Sequence, residues 1–79
     1  MPRNESTQIT IGNDWTQVTD GSTDEVIQFY TVVDICRCPQ KPANEAAALR
    51  FNTGLLTFTA PDTVWIRTVY EKESILTFY

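Results

Sequence analysis

Thr63-Val64-Trp65-Ile66-Arg67-Thr68-Val69-Tyr70 is the stretch on which the fold turns. Val64 and Ile66 alternate with Thr63, Trp65 and Arg67. That is the period of two that a strand with one buried face imposes, and the β-branched and aromatic content suits a pleated surface. Glu71-Lys72-Glu73 then forms a charged hairpin tip, and Ser74 to Tyr79 makes the closing strand. On the other side, Pro61-Asp62 separates this strand from Leu55-Leu56-Thr57-Phe58-Thr59, which Gly54 opens.

The same rhythm runs back toward the N-terminus. Gln8-Ile9-Thr10-Ile11 ends at the turn Gly12-Asn13-Asp14, and Trp15 to Thr19 ends at Asp20-Gly21-Ser22-Thr23-Asp24. The run from Glu25 to Cys38 is too long for one typical strand. A break near Tyr30-Thr31 divides it into Val26–Phe29 and Val32–Arg37, the alternative being one bent strand. Pro39 and Pro42 stop the ladder, because proline has no N–H to donate. Asn44-Glu45-Ala46-Ala47-Ala48-Leu49-Arg50 has helical composition with Asn44 as a cap. It predicts one short helix near residues 44–50, a surface loop being the equal alternative. The whole reads as all-β: a small antiparallel β-sandwich or jelly-roll-like barrel of six or seven strands. Residues 8–79 form its single domain and residues 1–7 a flexible N-terminal arm.

Composition bounds the function. The chain has 79 residues, 42% hydrophobic and 20% charged, with no apolar run near the ~20 residues of a membrane helix. Six basic against ten acidic side chains give a net charge of −4, which opposes a counterion-release grip on nucleic acid or an anionic membrane. Histidine is absent, and with it the commonest general base and zinc ligand. There is no phosphate loop and no nucleophile elbow. The sequence therefore predicts no enzyme, no cofactor, and no nucleic-acid or membrane partner. The first seven residues lack an apolar signal region, so folding in a reducing cytosol with free thiols is expected. A core this small yields only about 3–5 kcal/mol, and Cys36-Arg37-Cys38 is too tight to close a useful loop, so association between subunits is the expected support.

Alternation assigns the faces. Ile9, Ile11, Val18, Ile27, Phe29, Val33, Ile35, Leu56, Phe58, Val64, Ile66, Leu76 and Phe78 point inward. Trp15 then shares the polar side with Gln17 and Thr19, and Trp65 with Thr63 and Arg67. Exposed tryptophans read as a contact surface, although a one-residue bulge would turn either into ordinary core; Tyr70 and Tyr79 carry the same ambiguity. Asp34, Cys36 and Cys38 place three ligand atoms on one side of a strand, yet a structural metal needs four, and small residues packing on a pleat is the plainer reading. Asp20-x-Ser22-x-Asp24-Glu25 has the oxygen spacing of a calcium loop without its downstream bidentate acid, so it reads as a polar turn. Asp62, Glu71 and Glu73 are the carboxylates from which a glycoside hydrolase would have to be built. None of these is assigned as a catalytic or metal residue.

The order of signals, from Ile9-Thr10-Ile11-Gly12-Asn13-Asp14-Trp15-Thr16-Gln17-Val18-Thr19-Asp20-Gly21 through Val26-Ile27-Gln28 to Asp62-Thr63-Val64-Trp65-Ile66-Arg67-Thr68, resembles small β-sandwich virion proteins of tailed bacteriophages. The resemblance covers most of residues 8 to 79. It implies a capsid-decorating, head-fibre or tail-adaptor protein without an active site, made in the bacterial host's cytoplasm and carried on the virion. The implied partners are other virion proteins and further copies of the chain, a trimer being favoured. Trp15, Trp65 and Arg67 would hold the sandwich or its subunit contacts; Tyr70 and Tyr79, added from the alternation of faces rather than from the resemblance, complete the candidate interface or binding surface. The cysteine pair and the alanine-rich segment depart from the pattern. The alternative from another class is a small carbohydrate-binding module in which Trp15, Trp65 or Tyr70 stacks on sugar rings.

Overall fold

The structure is a computed structural model and describes residues 5–79. These residues form eight strands: β1 (Thr7–Gly12), β2 (Thr16–Asp20), β3 (Glu25–Phe29), β4 (Val33–Arg37), β5 (Leu49–Phe51), β6 (Gly54–Phe58), β7 (Thr63–Thr68) and β8 (Glu73–Phe78). They pair into two four-stranded antiparallel sheets, ordered β1-β8-β3-β6 and β2-β7-β4-β5, packed as a β-sandwich. The fold is all-β, as expected. The break expected near Tyr30-Thr31 lies between β3 and β4, and the chain changes sheets there. Of the expected flexible arm at residues 1–7, residues 1–4 lie outside the described residues.

Two expectations are corrected together. The count is eight strands rather than six or seven, and no helix forms at residues 44–50. A helix of seven residues makes too few i to i−4 bonds to outweigh its nucleation cost. What forms is one turn, in which the Ala46 N–H donates to the Ala43 carbonyl at 3.1 Å. Leu49–Phe51 instead takes ladder bonds from β4 as a short edge strand, pairing Asp34 with Arg50.

Every residue expected inward lies in the core or packs against it, and Phe51 from β5 joins them. The centre is Phe29, whose ring meets the edges of Phe51 at 5.4 Å and Phe58 at 6.3 Å. One face assignment changes. A bulge between Gln17 and Thr19 sets Thr19 opposite the inward Val64 rather than beside Trp15 on the outer side. Buried there, the Thr19 hydroxyl donates to the Asp62 carbonyl at 2.9 Å and accepts from the Val64 N–H at 3.0 Å. These bonds tie the β2 end to the β6–β7 turn.

Candidate functional site

A sandwich has two outer faces, and the chain treats its own differently. On the outer side of β2-β7-β4-β5, register sets Trp65 between Gln17 and Cys36, and Arg67 next to Asp34, which in turn faces Arg50. Trp15 enters just before β2. Its ring lies 4.2 Å beneath the Arg67 guanidinium carbon. The segment between β4 and β5 crosses this face as a roof, which three side chains hold by its backbone carbonyls. Trp15 Nε1 donates to Ala43 O at 3.0 Å, Trp65 Nε1 to Cys38 O at 2.9 Å, and Arg67 Nη2 to Asn44 O at 2.9 Å. At the outer rim Lys41 Nζ meets Asp14 Oδ2 at 2.8 Å.

Trp15 is therefore only 3% exposed, which corrects its place in the expected contact surface. Period two gave its side of the sheet correctly; what alternation cannot register is a loop laid over that side from elsewhere in the chain. Trp65 is half-buried under the same roof. Arg67 is mostly covered, and its donors are directed to Asn44 and Asp34. The structure thus brings Trp15, Trp65 and Arg67 together, in contacts that stay within the chain.

Asp34, 7% exposed, is the electrostatic centre of this face. Arg50 Nε donates to its Oδ1 at 3.0 Å and Arg67 Nε to its Oδ2 at 3.4 Å. Asp34's hydrogen bond pushes the Arg50 pKa up from its ordinary value. Two guanidiniums on one carboxylate answer the question of the Asp34-Cys36-Cys38 set. The carboxylate is engaged, both thiols are free, and burial followed by the charge of Cys38 pushes the Cys36 thiol up, away from the reactive thiolate. Among the described residues no group of three or more metal-ligating side chains converges.

The acidic turn also spends its oxygens on the chain. Asp20 Oδ1 accepts from the N–H and hydroxyl of Ser22 at 2.9 and 2.6 Å, and Asp24 Oδ1 accepts from the Ala60 N–H at 2.8 Å. The bonds from Ser22 hold the Asp20 pKa below its ordinary value. Asp62, paired with Arg37 at 3.3 Å, precedes β7, whereas Glu71 follows it. A strand of that length separates them by roughly 20 Å, beyond the span of a glycosidase pair.

Among the described residues, the outer side of β1-β8-β3-β6 has no such cover. Tyr30, Leu55, Ile75 and Tyr79 stand on it, between 43% and 57% exposed. Their positions follow from register: Ile75 pairs with Thr10, Leu55 with Gln28, and the Tyr79 N–H bonds to the Val26 carbonyl. Of this group the sequence reading singled out Tyr79. The signal for the others was present, since the parity that sends Leu56, Leu76 and Phe78 inward sends Leu55 and Ile75 out. Tyr70, 74% exposed, projects from the β7–β8 turn away from this face, beside Arg50. The expected surface of Trp15, Trp65, Arg67, Tyr70 and Tyr79 is therefore not one patch. No family model matches the chain, and no curated protein or solved structure matches it.

Proposed function

We propose that this chain is a non-enzymatic structural protein of a tailed-phage virion, of the capsid-decorating, head-fibre or tail-adaptor kind, acting through protein–protein assembly. The observation that carries the reading is the bare outer face of β1-β8-β3-β6. It is a tyrosine- and aliphatic-bearing sheet surface, with its charged residues kept to the rim, on a domain whose other outer face is roofed by its own chain. Depletion of charge and enrichment in tyrosine are the marks of the centre of a protein interface. The resemblance of residues 8–79 to small phage β-sandwich proteins supplies the class of assembly. Its partners are further copies of the chain and neighbouring virion proteins, met after synthesis in the host cytoplasm.

The carbohydrate-binding alternative draws less support, because Trp15 is covered and both indole N–H groups are engaged by backbone carbonyls of the roof. The test is to purify tailed-phage particles through a density gradient from a host carrying the gene, and to label them with an antibody against this chain. Regular labelling at one place on the particle is the expected result. Particles that lack the chain, together with specific binding of the isolated protein on a glycan array, would overturn the proposal in favour of the sugar module.

A further inference from the structure

The bare face carries a second property that bears on what covers it. Several of the polar groups at its centre are already bonded to one another. Gln8 Nε2 donates to Thr77 Oγ1 at 3.2 Å, the Tyr30 and Thr77 hydroxyls share a bond at 2.8 Å, and the Tyr79 hydroxyl donates to Gln28 Oε1. Groups paired within the face in this way can leave water at a smaller penalty than stranded ones. Burial already pushes the Tyr79 phenol up, with Tyr30 adding to the shift.

We propose that this face is a self-association surface, on which a second copy of the chain stacks its own β1-β8-β3-β6 face about a two-fold axis. The inference rests on the assembly reading above and names its contact. Charge argues for a second copy as the occupant. A chain of net charge −4 repels its copies, and a contact through a face with no charged side chain at its centre adds no close like-charge pairs there to that repulsion. An uncharged surface offers nothing for an oppositely charged partner to complement and suits an equally uncharged one.

Shape and area agree. Two sheets stack about 10 Å apart with their strands nearly aligned, and an isologous contact uses the same patch on both copies. Beside Ile75 and Tyr30 lies a shallow hollow of about 680 Å³, lined also by Gln8, Thr10 and Ser74 and with Glu73 at its edge, which gives side chains of the facing copy a place to enter. Four strands of five or six residues span roughly 19 by 18 Å, which with side chains standing proud gives about 500 Å² per copy. The total, roughly 1,000 Å², is at the lower bound for a specific interface, so the dimer is reversible rather than obligate. It also departs from the trimer that the family resemblance favours, since a patch complementary to itself closes at two.

Light scattering and sedimentation equilibrium of the full chain, with reductant and over a wide concentration range, test the proposal. Wild type is compared with Ile75→Glu and Leu55→Glu on the face, and with Leu49→Glu on the edge strand of the other sheet. Near-ultraviolet circular dichroism identifies the variants that remain folded. The expected result is a monomer–dimer equilibrium weakened at least tenfold by either face variant and unchanged by Leu49→Glu. A closed trimer or larger ring whose mass neither face variant alters would overturn the face-to-face contact and leave the assembly reading standing. A wild-type monomer at every concentration would overturn self-association, and particle labelling would then decide the assembly reading by itself.

Discussion

The two outer faces differ in who covers them. On β2-β7-β4-β5 the chain supplies its own cover, and its large side chains are clamped: Trp15, Trp65 and Arg67 each hold a carbonyl of the segment between β4 and β5. On β1-β8-β3-β6, Tyr30, Leu55, Ile75 and Tyr79 lie open over a polar network that binds only itself. Tryptophan under a roof is a stability device, while tyrosine on a bare sheet is what the proposed contact would use. Truncating an aromatic to alanine should therefore cost the fold much more on the roofed side than on the bare one.

The largest effect falls under the roof. Trp15→Ala removes a buried ring, its bond to Ala43 and the platform for Arg67, and large-to-small changes of buried aromatics cost about 3–5 kcal/mol. In a domain of this size that approaches the whole stability. Tyr30→Ala on the bare face should cost at most about 1 kcal/mol in the dilute monomer, because the ring is already 45% exposed. Urea titrations of both variants at low protein concentration make the comparison, and equal losses would break the distinction between the faces.

Asp34 comes next. Asp34→Ala leaves Arg50 and Arg67 facing each other without their shared carboxylate. Breaking a fully buried pair costs about 3–5 kcal/mol; with the Arg50 side chain 56% exposed and able to turn to water, about 2 kcal/mol is expected. A double-mutant cycle with Arg67→Met measures the coupling. Strict additivity would mean that the roofed face is held by packing alone.

Much of this architecture was legible from period two. The alternation through Val64 and Ile66, and through Leu76 and Phe78, fixed the inner faces, because a one-residue slip would have put polar side chains in the core. The division between β3 and β4 was legible from strand length. The site was harder to read, for a physical reason. Whether Trp15 is open or covered depends on where residues 38–48 lie, and that segment has neither alternation nor enough helical turns to fix its path. Its position is set by hydrogen bonds from residues far off in sequence, a form of information that local pattern does not carry. The same holds for Leu49–Phe51, whose strand exists because β4 had an edge to extend.

The cysteines sharpen the comparison by reactivity. Cys36 lies under the roof and Cys38 at its margin, so alkylation of the native protein near pH 8 should label Cys38 first and Cys36 at least tenfold more slowly. Loosening the roof with Lys41→Ala should speed Cys36 slightly, and Ile75→Glu should leave it alone. Equal rates for both thiols in the wild type would show that the segment opens freely.

The smallest effects separate the faces by pH. At the rim of the roof, the hydrogen bond from Lys41 holds the exposed Asp14 carboxyl below its ordinary pKa. A carboxyl with a folded pKa below its unfolded one stabilises the fold above the unfolded value, near 3.8, and that contribution is lost as pH falls through the folded pKa. On the bare face the sign reverses, because Tyr79 is held above its ordinary value, first by burial and then by Tyr30. The folded chain then keeps the phenol proton more tightly than the unfolded chain. Its contribution is full below the unfolded value near 10.0 and declines as pH rises from there through the folded pKa. Urea midpoints should therefore show Asp14→Asn differing from wild type at neutral pH and converging with it in acid, and convergence should also come with added salt. Tyr79→Phe should instead flatten the loss of stability above pH 10 and leave the acid limb unchanged. A second copy on the bare face would bury the phenol further, so the alkaline loss in wild type should still begin near 10.0 but run to higher pH and be larger in concentrated protein than in dilute. An alkaline limb independent of concentration would mean that Tyr79 lies outside the contact.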